Sequence, residues 1–147
     1  MPPAWKNRPA PTPHPLDRVK HARTANGVTT YLCQVGPLAW SADFDYYDLT
    51  PYIALIEFEP DAAMPLSWRN GWSGVGVVDG TVDIAGVRST EGAFVLFEPL
   101  ARHGFKAGPK GATALMFFDS GRATFPVWDK PSDAAAIAFD KALRIPS

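Results

Sequence analysis

Apolar residues recur at alternate positions in short runs along most of this chain, and Gly, Pro, Asn or Asp separates one run from the next. A period of two marks a half-buried strand, because successive side chains leave a strand on opposite faces. GVTTYLCQV (27–35) is rich in β-branched and aromatic residues between Asn-Gly and Gly-Pro pairs, and predicts one strand. YIALIEFEP (52–60) sets Tyr52, Ala54, Ile56 and Phe58 on one face and Ile53, Leu55, Glu57 and Glu59 on the other. VGVVDGTVDIAG (75–86) predicts two strands joined by a two-residue hairpin turn at Asp79-Gly80. AFVLFEP (93–99) and ATALMFF (112–118) are apolar almost throughout, which predicts strands buried on both faces. Only SDAAAIAFDKALR (132–144) predicts a helix, with Ser132 as N-cap, an Asp in the first turn and Lys and Arg near the end.

Many short strands and one late helix predict an all-β sandwich or barrel. The 147 residues suffice for one domain with a real core. They divide into an arm (1–15), a β-domain (16–130) and a helix with a tail (131–147). The arm holds six prolines, which offer no backbone donor, and is expected to be extended or disordered. Apolar residues at 46% and charged residues at 20% fit a soluble globular protein. The net charge is -1 with no basic block, which argues against nucleic acid as a main partner. No apolar run reaches membrane-spanning length and the first residues lack a signal-peptide pattern, so neither membrane nor export is expected and the location expected is the cytoplasm. The single cysteine, Cys33, excludes an intrachain disulfide and reads as a small buried side chain on a strand.

Two segments between Asp61 and Phe105 resemble the cupin superfamily. In GAFVLFEPLARHGF, Gly92 is followed by Pro99, by His103 eleven residues after the glycine, and by Gly104 and Phe105. This is similar to the second cupin motif, a strand that crosses a proline turn and presents one His to the barrel interior. Leu100 stands where the family usually has a turn glycine. The first cupin motif has two His one residue apart, a Glu four residues later and a Gly seven beyond that. With Gly80 as that glycine, the His positions fall on Ser67 and Arg69 and the Glu position on Ser73. Pro65 and Asp79-Gly80 agree with the family, while Asp61 replaces its opening glycine. The resemblance implies a double-stranded β-helix, a jelly-roll barrel, in which three of the four usual metal ligands are replaced. The same analogy implies a homodimer.

Those replacements change the chemistry. A divalent metal in such a barrel takes imidazoles and carboxylates, whereas a serine hydroxyl is a poor ligand and a guanidinium repels a cation. No metal and no other cofactor is therefore expected, and the spacing of His21, Glu57, Glu59 and Glu98 forms no ligand pattern. A cluster of Ser67, Arg69, Ser73 and His103 between apolar walls suits a carboxylate, phosphate or enolate oxygen. Arg69, Ser67 and Ser73 would bind substrate and His103 would act as catalytic acid or base, as in the metal-independent cupins built around a His. Three functions stay open. The first is a metal-independent isomerase, dehydratase or cyclase acting on a small keto- or carboxylate-bearing molecule. The second is a non-catalytic ligand-binding or sensory barrel, and the third is a metal-dependent dioxygenase-like enzyme. Structural roles stay open too: His103 satisfied within the barrel, and Arg69 facing solvent or paired with Asp61. Trp68 alternates with Ser67 and Arg69 and is expected to pack outside the barrel. WSADFDYYDL (40–49) reads as an acidic edge strand, or as a cover for the barrel mouth or an interface.

Overall fold

Among the described residues nine strands carry the alternation read from the sequence, and every pairing between them is antiparallel. The computed structural model describes residues 22–34, 52–119 and 126–143. The Pro-rich arm with Trp5 and His14, together with His21 and WSADFDYYDL, lies outside the described residues. The strands are β1 (Ala22–Ala25), β2 (Val28–Gln34), β3 (Tyr52–Phe58), β4 (Ala63–Trp68), β5 (Ser73–Ile84), β6 (Val87–Thr90), β7 (Phe94–Phe97), β8 (His103–Phe118) and β9 (Val127–Trp128). One helix among the described residues, α1 (Ala134–Leu143), follows them. No helix among these residues is long and apolar enough to cross a membrane.

β1, β2, β3, β8, β4 and β9 lie side by side, while β5 pairs with β6, β7 and β8. The seam is the long β5–β8 pair. The N-terminal part of β8 lies between β4 and the end of β5, and its C-terminal part between β3 and the start of β5. Of the two faces read for β3, the one carrying Ala54, Ile56 and Phe58 is buried. They meet Met116, Ala114 and Ala112 of β8 in the core. Cys33 lies on β2 with its Cα opposite Ile53. The helix begins one residue later than expected: the Ile137 amide donates to the Asp133 carbonyl at 3.0 Å, which gives Asp133 rather than Ser132 the cap position. Phe139 packs on Trp128 at 5.7 Å, and Ala136 and Ala142 join the core.

Two further expectations are corrected. Asp79-Gly80 is not a hairpin turn; β5 runs straight through it, and the hairpin lies at Ala85-Gly86, whose φ angles are 50° and 83°. Gly80 is left-handed (φ 77°), and the β5–β8 register shifts on both sides of it. That is a bulge, which also calls for a left-handed glycine, so the dipeptide alone does not separate bulge from turn. A Cβ at Gly80 would collide with the Gly111 carbonyl oxygen. Nor are β7 and the end of β8 buried on both faces: Phe94, Leu96, Leu115 and Phe117 point outward and are exposed.

Candidate functional site

Directly opposed residues of antiparallel neighbours point to the same face, with Cβ atoms about 5 Å apart. One such row crosses β3, β8, β5 and β7 as Tyr52, Phe118, Ser73 and Phe97. A second crosses β9, β4 and β8 as Trp128, Ser67 and His103. The rows touch where Phe97 stacks on the His103 imidazole, with ring centroids 3.9 Å apart and planes 13° from parallel. Phe105 meets the same imidazole edge-on at 5.3 Å. Ser67 reaches the interior through a bulge: Met64 and Ser67, three residues apart, are both buried because the β4–β8 register shifts between them. Trp68 alternates outward as expected and packs under the Arg102 guanidinium at 5.2 Å.

Arg69 follows the end of β4. It is buried, and its guanidinium carbon sits 4.9 Å from the centre of the Phe118 ring. Burial lowers its pKa to about 9, which leaves it cationic at neutral pH. The turn Glu98–Ala101 fixes both Arg69 and His103. The Leu100 amide donates to the Arg69 carbonyl at 2.9 Å, and the Ala101 amide closes the turn on Glu98 at 3.1 Å. Pro99 occupies the second position and Leu100, with φ 70°, the third, as in a type II turn that favours glycine there. Asp61 has φ 60°. Both non-glycine departures from the cupin pattern are thus left-handed, so the backbone of the motif persists without its glycines.

His103 is 1% exposed, and its Nδ1 lies 3.0 Å from the Ala101 carbonyl oxygen. A carbonyl only accepts, so Nδ1 carries the proton and Nε2 presents a lone pair. Desolvation, aided by the charge of Arg69, lowers the imidazole pKa to about 4, against the opposing effect of the Ala101 bond. The ring is therefore neutral at pH 7. Its Nε2, the hydroxyls of Ser67 and Ser73, and the Trp128 indole N–H are all buried without a hydrogen-bond partner among the described residues. Leaving a buried polar atom unsatisfied costs about 1–3 kcal/mol. Folded proteins leave few such atoms, and these four, in two adjoining rows, are donors and acceptors that a polar guest could use.

The structure brings together all four residues expected from the sequence. Trp128 is an addition that no motif signalled, and Phe97 and Phe118 were legible only as strand residues. Glu57 is half-buried on the other phase of β3, and Glu59 and Glu98 are exposed. Among the described residues the interior donor set does not fit a divalent cation: it offers one imidazole and two neutral hydroxyls beside a guanidinium. Among the described residues, no three His, Cys, Asp or Glu side chains are gathered to hold a metal ion.

No family model and no curated protein matches the sequence. Solved structures do resemble the fold. One is oxalate decarboxylase from Bacillus subtilis, at 17% identity and TM-score 0.56 over 72% of this chain and 28% of that one. Another is an RmlC-like cupin from Shewanella frigidimarina, at 17% identity and TM-score 0.57 over 74% and 91% of the two chains. A third is a chain in the complex of Rhodobacter sphaeroides SigE with the anti-sigma ChrR, at 17% identity and TM-score 0.55 over 67% and 48%. This chain spans less than a third of the length of the oxalate decarboxylase chains it matches. Strand order, motif backbone and these likenesses agree: the chain has the cupin fold.

Proposed function

We propose that the barrel interior binds a small carboxylate- or keto-bearing molecule and acts on it without a metal, as an isomerase, dehydratase or cyclase. The observation that carries this reading is the set of buried, unsatisfied atoms on Ser67, Ser73 and His103 beside the buried Arg69 cation. Arg69 and the two hydroxyls would orient the guest's oxygens, and His103 Nε2 would take a proton from it. An imidazole of pKa about 4 is by itself a weak base. An anionic guest offsets the Arg69 charge and raises that pKa, so binding itself readies the base. A thermal-shift screen of small hydroxy, keto and dicarboxylic acids, followed by proton-exchange NMR in D2O on any binder, tests the proposal. Binding with exchange that is lost in His103→Gln is expected. Binding without exchange or turnover would instead make the barrel a ligand sensor, and no binding would end the reading.

We also infer that two copies pair through the outer face of β5, β7 and β8. Gly74 and Gly76 of β5 lie between Leu96 and Phe94 of β7 and Phe117 and Leu115 of β8. The result is a groove of about 390 Å3 with apolar walls and Trp72 at one end. The Phe94 ring lies over Gly74 and Gly76, and the exposed Phe and Leu side chains around it form an apolar patch that the same patch of a second copy would cover about a two-fold axis. At about 200 Å2 per large side chain, these five expose roughly 500 Å2, the core of a standard interface of about 800 Å2 per partner. Sedimentation should show a dimer that Leu96→Lys dissociates; a wild-type monomer across the micromolar range would refute the pairing.

A further inference from the structure

Trp128 is a polar member of the two rows that the function above leaves unused, and its indole N–H is buried without a hydrogen-bond partner among the described residues. Its Cα is paired with that of Ser67, and Ser67 is paired in turn with His103. The three residues thus stand side by side on neighbouring strands and on one face of the sheet, with adjacent strands about 5 Å apart. Their free atoms differ in kind. Indole Nε1 only donates, the serine hydroxyl donates or accepts, and imidazole Nε2, with Nδ1 committed to Ala101, only accepts. The row therefore reads donor, either, acceptor.

That order selects a guest. A simple carboxylate meets the indole N–H and the nearby cation but leaves Nε2 facing another acceptor. A 2-keto acid does the same, because its carbonyl has no proton to give. A guest with a hydroxyl next to its carboxylate satisfies both ends. We propose that Trp128 and His103 form a donor–acceptor pair that selects small α-hydroxy acids, the indole binding a carboxylate oxygen and Nε2 accepting the hydroxyl proton. This rests on the reading of the interior as a ligand site and narrows its substrate class. Phe139 packed on Trp128 and Phe97 stacked on His103 hold both rings in place before any guest arrives. The low proton affinity of His103 supports the assignment, since a charged imidazole would donate at both nitrogens.

Calorimetric titration of lactate, propionate and pyruvate into the full chain tests the pair. Wild type should bind lactate at least 10-fold more tightly than either analogue, the worth of one well-placed hydrogen bond. Trp128→Phe, which keeps the ring against Phe139, should weaken lactate and propionate by a similar factor and leave their ratio unchanged. His103→Phe, which keeps the stack on Phe97, should bring the ratio to near one. Equal binding of lactate and propionate by wild type would overturn the pairing, and unchanged binding of both by Trp128→Phe would remove Trp128 from it. If none of the three acids binds, the reading of the interior falls, and the pair falls with it. Should Trp128→Phe fail to fold, the five indole N–H signals of wild type serve instead. The Trp128 signal, assigned by elimination with Phe variants of the other four, should move as lactate is added, and a still signal would refute its role.

Discussion

Acid should destabilise this protein through His103. In the unfolded chain an imidazole titrates near 6.5, whereas the buried ring in the folded protein titrates at about 4. Between those values the unfolded chain binds the proton more readily, so lowering the pH favours unfolding. The contribution is fully present above about pH 6.5 and falls by about 1.4 kcal/mol per pH unit toward pH 4. From pH 7.5 to 5 the loss due to this group alone is about 2 kcal/mol, and by pH 4 about 3 kcal/mol. Carboxylates titrate over part of this range as well, so the measurement must be differential. Urea unfolding of wild type and of His103→Gln, which is similar in size and does not titrate, supplies it. The two stability curves should diverge on acidification by those amounts whatever their offset at pH 7.5. Parallel curves, or an imidazole NMR titration above pH 6, would show that His103 is solvated or holds its proton in the fold, and would remove the basis for a neutral acceptor at the site.

Replacing Gly80 by Ala should cost about 2–4 kcal/mol, from a left-handed alanine and a Cβ driven into the Gly111 carbonyl; a thermal-unfolding change below 1 kcal/mol would refute the close crossing of β5 and β8. Leu100→Gly should gain about 0.5–1 kcal/mol, since relief of the left-handed leucine exceeds the added chain entropy. A loss in thermal stability would show that the Glu98–Ala101 turn is not what sets this conformation. Ser67→Ala should leave the ligand-free protein unchanged or about 1 kcal/mol more stable, because it deletes an unsatisfied buried hydroxyl, while weakening acid binding. A destabilised variant in chemical denaturation would mean that Ser67 already has its partner.

The sequence was most informative where one residue type serves one purpose. The alternation in Tyr52–Phe58 separated the two faces of its strand, and the structure buries the one with Ala54, Ile56 and Phe58. Gly80 and His103 set the register that placed Ser67, Arg69 and Ser73 in the interior, and the structure buries all three there. Legibility ended where a local signal served two geometries. Asp79-Gly80 satisfies a bulge as well as a turn, and only pairing with β8, some thirty residues further on, decides between them. The apolar runs in β7 and β8 record hydrophobicity and not burial, so their exposed outward face reads like a core. Trp128 was invisible because its place beside Ser67 comes from a two-residue strand with no motif of its own.

We propose that this barrel of cupin fold holds a small acid by its own side chains and not through a metal. Calorimetric titration of lactate into protein dialysed against EDTA, and into the same protein reloaded with manganese, tests it most directly. One saturable site with the same affinity in both preparations is the predicted result. Binding that appears only after metal is restored would contradict the account.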